Sequence, residues 1–222
     1  MPRPTKALEC PSPPSCAPGA VLVETPRLVL RRFKPDDAPA LARAANHRAV
    51  WDGVRDSFPH PYTLADAQAF VAVCVKGEKE KEEEEEEKEG GREPAGEQLV
   101  GCLGADPGQD VLYRTWELGY WLTPDAWGRG YATEAVGALL RWLLRTWPGV
   151  HRVQAMTLAA NPRSAKVLLR CGFVLEGVQR EAAEKGGVLQ DLQVYAVLRH
   201  NVHLTEGNTR LTDSSCPKPS LD

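Results

Sequence analysis

Trp127-Gly128-Arg129-Gly130-Tyr131-Ala132-Thr133-Glu134-Ala135-Val136 joins an apolar segment that ends near Leu122 to a helical pattern that runs to Trp147. Gly128 and Gly130 let the backbone take dihedrals closed to other residues and come close to a ligand. The N–H groups of Arg129 to Thr133 open the helix, where unpaired donors and the macrodipole favour a phosphate. A Gly-x-Gly before a helix also occurs as a plain tight turn that packs a helix on a sheet. The stretch by itself leaves an anion cradle and a structural turn both open.

Downstream, Ala132, Ala135, Val136, Leu139, Leu140 and Leu143 recur at helical spacing until Pro148-Gly149 stops the pattern. His151 to Leu158 reads as a strand. Asn161 then caps a helix with Pro162 at its first position, and Gly172 ends it as a left-handed cap. Phe173 to Gln179 and Val188 to Leu198 read as a hairpin around Glu184-Lys185-Gly186-Gly187. Upstream, Gln98 to Ala105 and Val111 to Leu122 read as strands joined by the turn Asp106-Pro107-Gly108. Ala20 to Phe33 alternates like a strand. Asp36 and Asp37 start a helix that carries Ala38, Leu41, Ala42 and Ala45 as its apolar stripe. An aromatic, Pro-rich loop follows, and Thr63 begins a capping box for a helix through Val75 that buries Phe70, Val71 and Cys74.

The 222 residues, 42% hydrophobic and 26% charged, suit one α/β domain with tails. Residues 1–20 read as a disordered Pro-rich leader, 21–200 as the domain and 201–222 as a disordered tail. Residues 76–97 form an acidic low-complexity insert. From Lys76 to Glu93 ten Glu face five Lys and Arg, a local charge of −5, which leaves +2 of the overall −3 for the remainder. Such an insert cannot bury a face and reads as a solvated loop. The nearly neutral remainder lacks the basic stripe of a nucleic-acid surface. Cys10, Cys16, Cys74, Cys102, Cys171 and Cys216 show neither a Cys-x-x-Cys pair nor a regular framework, so no metal site and no disulfide scaffold is expected. The chain has no signal-peptide pattern and no membrane-span pattern. A cytoplasmic location follows as the expectation, with the nucleus also open.

Several ordered motifs together resemble the GNAT superfamily of acetyl-CoA-dependent N-acetyltransferases, and in particular its ribosomal-protein N-terminal acetyltransferase branch. Glu24-Thr25-Pro26-Arg27-Leu28-Val29-Leu30-Arg31 looks like that branch's opening strand, and Phe58-Pro59-His60-Pro61-Tyr62-Thr63 like its second-helix entry. Glu117-Leu118-Gly119-Tyr120-Trp121-Leu122 and the Gly-rich stretch look like its cofactor motif. Asn161-Pro162-Arg163-Ser164 and Cys171-Gly172-Phe173 look like the helix that follows. The resemblance spans about Val21 to Arg199. It implies a mixed, mostly antiparallel sheet flanked by helices, with central strands splayed to bind acetyl-CoA.

What the resemblance implies transfers position by position. The family's cradle runs Gln or Arg, two residues, Gly, one residue, Gly or Ala. Gly130 and Ala132 match its small positions, whereas Trp127 stands at the Gln/Arg position. Backbone amides from Gly128 through Tyr131 to Thr133 are then the pyrophosphate ligands, and Arg129 either reaches a phosphate or faces solvent. Tyr120, Trp121 and Leu122 match the strand end that binds the pantetheine arm through backbone, with a main-chain N–H for the thioester oxygen. Glu117 stands where many relatives place a catalytic base, and burial would raise its pKa toward a useful range. The plain alternative is a strand-end Glu paired to Arg114 or exposed.

Asn161 and Ser164 match positions that bond near the cofactor arm, although Asn161 also suits an ordinary cap. Many relatives place a proton-donating Tyr where this chain has Leu168. Cys171 reads as a small buried residue and not a nucleophile. The function implied is direct acetyl transfer from acetyl-CoA to a primary amine, without metal, by a monomer or homodimer. A protein N-terminus is the favoured acceptor. The alternatives are a polyamine- or aminoglycoside-type acceptor, or a noncatalytic acyl-CoA-binding scaffold. The acceptor is expected to meet the loop of residues 49–62, where Trp51, Asp52, Arg55, Asp56 and His60 are candidate contacts, and the hairpin of residues 177–189.

Overall fold

A computed structural model of the chain describes residue 8, residues 10–76 and residues 98–203. Strands β1 (Val21–Glu24) and β2 (Val29–Arg31) form a small antiparallel hairpin of their own. Helices α1 (Ala38–Ala45), α2 (Arg48–Trp51) and α3 (Leu64–Lys76) follow. The main sheet holds β3 (Gly101–Pro107), β4 (Thr115–Leu122), β5 (Arg152–Leu158), β6 (Val174–Lys185) and β7 (Val188–Leu198), in the order β3-β4-β5-β7-β6. Helix α4 (Tyr131–Thr146) makes the crossover from β4 to β5, and α5 (Pro162–Arg170) joins β5 to β6. This is the mixed, mostly antiparallel sheet that the motif order implies.

The one parallel pairing, β4 with β5, decides where the site lies. It covers Thr115–Arg152, Trp116–Val153 and Glu117–Gln154 and then stops. Beyond it β4 stays on β3 as far as Leu122, while β5 stays on β7 as far as Leu158. The two strands diverge and leave a wedge-shaped gap with Glu117 at its narrow end. Backbone groups of Leu118–Leu122 on the side away from β3 have no strand partner among the described residues.

Alternation along β4 sends its side chains to two different cores. Trp116, Leu118 and Tyr120 pack with Val136, Leu139, Leu140, Leu143 and Leu144 of α4, with Val153 of β5 and with Leu168 of α5. Trp121 packs with Leu41, Ala45, Tyr62, Ala67 and Val71 from the α1 and α3 side. The periodic face of α4 is therefore buried as its spacing predicts, at roughly 1.5–3 kcal/mol per fully buried Leu or Val. The Thr63 capping box is also formed: the Asp66 carboxylate accepts from Thr63 N at 2.8 Å, and Thr63 Oγ1 accepts from Asp66 N at 3.2 Å.

Several expectations need correction. The strand expected from Ala20 to Phe33 breaks into β1 and β2, because Thr25 Oγ1 accepts from Leu28 N at 3.0 Å and closes a turn around Pro26. Within the expected leader of residues 1–20, two contacts reach the domain: Cys10 Sγ meets Thr146 O, and Arg32 Nε donates to Ser15 O at 2.7 Å. Phe70 is 40% exposed and meets Phe33 edge-on, whereas Val71 fills the buried face. Strand β6 runs to Lys185, past the expected end at Gln179, and carries a bulge in which Asp191 Oδ1 accepts from Glu181 N. Among the described residues the cysteines form no disulfide. The acidic insert beyond Lys76 and the tail from residue 204 fall outside the described residues.

Candidate active site

The Gly-rich loop is shaped at both ends. Trp127 Nε1 donates to Leu122 O at 2.9 Å and ties the loop to the end of β4, while the Arg163 guanidinium lies over the Trp127 ring. The tryptophan at the family's Gln/Arg position is thus a brace. Gly128 and Gly130 hold φ of 72° and 81°, a left-handed conformation that favours glycine. Gly130 is the N-cap of α4 and brings no side chain to its first-turn amides, so Tyr131, Ala132 and Thr133 offer N–H donors at the positive end of the helix dipole. Arg129 is exposed.

The β1–β2 turn clasps this loop. Arg27 Nη1 donates to Arg129 O at 2.8 Å, and its guanidinium lies over the Tyr131 ring at 4.8 Å. Glu134 would otherwise oppose an anion beside the cradle. Its carboxylate accepts from Thr25 Oγ1 at 2.6 Å and from Arg27 Nε at 2.7 Å. Burial raises the Glu134 pKa, but the hydrogen bonds from Thr25 and Arg27 outweigh it and hold the group below the usual carboxylate range. Sequence reading treated Thr25-Pro26-Arg27 only as strand and missed this role. The clasp spans 107 residues of chain, beyond any local pattern.

Across the gap, Asn161 Oδ1 accepts from Ser164 N at 3.2 Å, the N-cap bond expected of it. A Cβ on Gly53 would stand 2.9 Å from Asn161 Nδ2, so loop 49–62 approaches this cap closely. Tyr120 Oη lies 2.8 Å from Ser164 Oγ, joining β4 to α5. Burial pushes the Tyr120 phenol up to about 12, against the hydrogen bond from Ser164. Leu168 is fully buried and packs in the core. Cys171 meets Thr133 O, and burial pushes its thiol up to about 11, as suits a structural cysteine.

Glu117 faces the other side of the sheet. Its Oε1 pairs with Arg55 Nη2, and the two side chains are 31% and 70% exposed. The partner expected from sequence, Arg114, instead donates to Gly149 O. Of the environments left open for Glu117, full burial is not observed: its side chain is 31% exposed. Arg55, Asp106, Thr115, Glu117 and Gln154 line a cleft of about 260 Å³. At the hairpin tip Lys185, 6% exposed, pairs with Asp56 at 2.5 Å and lies 3.5 Å from the centre of the Trp51 ring. Trp51 in turn stands beside His60. The structure thus brings loop 49–62 and the hairpin tip together, while Asp52 turns away to Arg48.

The sheet splays at its one parallel pairing, with the Gly-rich helix opening at the wide end of the gap and the Glu117 carboxylate at the narrow end. The family model for the acetyltransferase (GNAT) domain matches residues 27–174, and the chain belongs to that family of N-acetyltransferases. Such enzymes use acetyl-CoA as acyl donor. An uncharacterised N-acetyltransferase of Bacillus subtilis, YoaA, is 25% identical over 180 residues, 80% of this chain and 97% of that protein. The ribosomal-protein-serine acetyltransferase of Escherichia coli is 33% identical over 100 residues, 45% of this chain and 55% of that protein. The spermidine N-acetyltransferase of Vibrio cholerae, solved with CoA and spermine, superposes with a TM-score of 0.59 at 18% identity, covering 77% of this chain and 95% of its own. Among the described residues, no group of three or more His, Cys, Asp or Glu could hold a metal ion, and no helix is long and apolar enough to cross a membrane.

Proposed function

We propose that the chain acetylates a primary amine by direct attack on acetyl-CoA in a ternary complex, with a protein N-terminus as the favoured acceptor. The observation that carries this reading is the end of the β4–β5 pairing at Glu117. In it, the pyrophosphate lies on the amides from Gly128 to Thr133, and the pantetheine arm runs down the gap along Tyr120, Trp121 and Leu122. Asn161 and Ser164 flank it from α5. The thioester then stands near Glu117, and the amine enters from the side of loop 49–62.

Attack needs a neutral amine. An α-amine with a pKa of about 8 loses its proton at neutral pH far more readily than a lysine at about 10.4. Glu117 takes that proton, directly or through one water. Arg55 Nη2 pairs with the Glu117 carboxylate oxygen that would receive it. The incoming ammonium displaces this exposed side chain, since a guanidinium in solvent gives up an ion pair at little cost.

A small polyamine is the second reading. It is favoured by the carboxylates of Asp106 and Glu117 in one cleft and by the likeness of fold to the spermidine enzyme. Release of free CoA from acetyl-CoA, followed with pooled peptides against pooled polyamines, separates the two. Peptide-dependent release that falls about 100-fold in Glu117→Gln supports the favoured reading with Glu117 as base. Release confined to polyamines replaces the acceptor, and release unchanged in the variant removes Glu117 from the chemistry.

A further inference from the structure

We propose that Arg55 guards Glu117 against water, capping its carboxylate until a cationic acceptor arrives, and so selects ammonium acceptors over neutral nucleophiles. This rests on reading Glu117 as the base beside acetyl-CoA in the β4–β5 gap. A carboxylate placed to deprotonate an amine can also deprotonate water, and the bound thioester is then lost as acetate. Arg55 Nη2 pairs with Glu117 Oε1 from loop 49–62, the side from which the amine enters. Water that approaches from there meets a base already engaged.

The loop is fastened on both sides of this side chain. Asp56, the next residue, pairs with Lys185 of the hairpin tip, and Gly53 lies close against Asn161 at the start of α5. Arg55 itself is 70% exposed, so its guanidinium can swing while the backbone that carries it stays put. A second seat is near. Asp106 is the direct cross-strand partner of Glu117 and lines the same cleft as Arg55. The Cβ atoms of such a pair lie about 5 Å apart, within reach of one arginine, and two carboxylates facing each other repel. No cation is paired to Asp106 among the described residues. An ammonium that takes the place of Arg55 on Glu117 therefore frees the guanidinium for Asp106, and each carboxylate keeps one cation. Water brings no charge with which to make that exchange.

The suppressed reaction is hydrolysis. The water oxygen bonds the acyl carbon as Glu117 takes one water proton, the C–S bond breaks, and its electron pair stays on sulfur. Sulfur then takes the proton from Glu117, and acetic acid gives its own to solvent.

The test is CoA release from saturating acetyl-CoA with no acceptor present, with acetate measured alongside, in wild type, Arg55→Gln, Arg55→Lys and Arg55→Gln/Glu117→Gln. Arg55→Gln is expected to hydrolyse acetyl-CoA about 5-fold faster than wild type, the limit set by one exposed ion pair. Arg55→Lys keeps the cap and should stay within about 2-fold of wild type. The double variant should fall to the wild-type rate or below. Damage to the loop lowers rates, whereas removal of a cap raises one. Equal hydrolysis in wild type and Arg55→Gln overturns the proposal, and so does a rise that survives in the double variant. Should Arg55→Gln not fold, raised salt, which screens an exposed pair, must speed hydrolysis by wild type, and a rate that does not respond decides against the guard. Calorimetry separates the two readings. Wild type that binds no acetyl-CoA refutes the reading of the gap and the proposal with it, whereas binding with unchanged hydrolysis refutes the guard alone.

Discussion

The two sides of the gap are built differently. On the side proposed for acetyl-CoA, Trp127 ties the Gly-rich loop to β4, Arg27 ties it to the β1–β2 turn, Tyr120 ties β4 to Ser164 of α5, and Asn161 caps α5. Most of these bonds are partly buried and involve backbone on at least one side. Around the mouth on the acceptor side, two links are ion pairs with a largely exposed partner: Arg48–Asp52 at 65% and 55% exposure, Arg55–Glu117 at 70% and 31%. Exposed pairs of this kind contribute about 0–1 kcal/mol each. A ligand that never changes can be met by a prebuilt cradle, while an acceptor that must enter and leave is met by contacts that exchange cheaply.

The comparison would break first at Asp37, which anchors the base of the acceptor side. Its carboxylate is 6% exposed, accepts from Arg31 at 2.7 and 2.8 Å and from Lys34 N at 2.9 Å, and fixes β2 to the start of α1. Burial pushes its pKa up, but the hydrogen bonds from Arg31 and Lys34 prevail and hold it below the usual range. A pKa lowered by folding stabilises the protein above the unfolded value of about 3.9, and that contribution is lost as pH falls through the folded value. Asp37→Asn should lower stability by about 3 kcal/mol at neutral pH, because it removes the buried carboxylate that accepts both Arg31 hydrogen bonds and the one from Lys34 N. Denaturant unfolding should show the deficit shrinking below about pH 4. A deficit that does not change with pH would mean that shape, not charge, makes this corner rigid.

The next effect sharpens the contrast from the cradle side. At Gly130 an added Cβ would meet only Arg27 Nη2, at 3.4 Å, so the strain of φ 81° outweighs the clash. A residue with a side chain in that conformation costs about 1–2 kcal/mol, which is roughly 5- to 30-fold in an equilibrium. Gly130→Ala should therefore weaken acetyl-CoA binding by about that factor in calorimetry, with KM for the acceptor unchanged. Equal losses for both ligands would show that the two sides are coupled and not separately built.

How much of this was legible in the sequence follows the same division. The stripe of α4, the Asn161-Pro162 start, the Gly172 stop and the Thr63 capping box are local, and each was read from residues within four positions of one another. The Arg27–Glu134 clasp and the Arg55–Glu117 pair join residues 107 and 62 positions apart, and neither has a local signature. The nearest arginine to Glu117 in sequence, Arg114, was the natural guess as its partner, but it caps the Pro148-Gly149 turn instead. The splay of β4 from β5 has no pattern of its own either, since both strands remain paired to their other neighbours. Only the resemblance to a family implied it.

The smallest stability effect, and the sharpest probe of the exchangeable side, is expected at Asp56. Removal of its charge strands Lys185, whose side chain is 6% exposed, and a buried unpaired ammonium is normally expensive. Two features reduce that cost. Asp56 itself is 61% exposed, so solvent already screens the pair, and the Trp51 ring face 3.5 Å from Lys185 Nζ keeps an attraction for the cation. Asp56→Asn should then lower stability by no more than about 1 kcal/mol. Because the pair links loop 49–62 to the hairpin tip, its loss should shift KM for the acceptor several-fold while leaving KM for acetyl-CoA in place. A large stability loss would show that the hairpin tip is part of the core on which the cradle rests, and the contrast between the two sides would fail there.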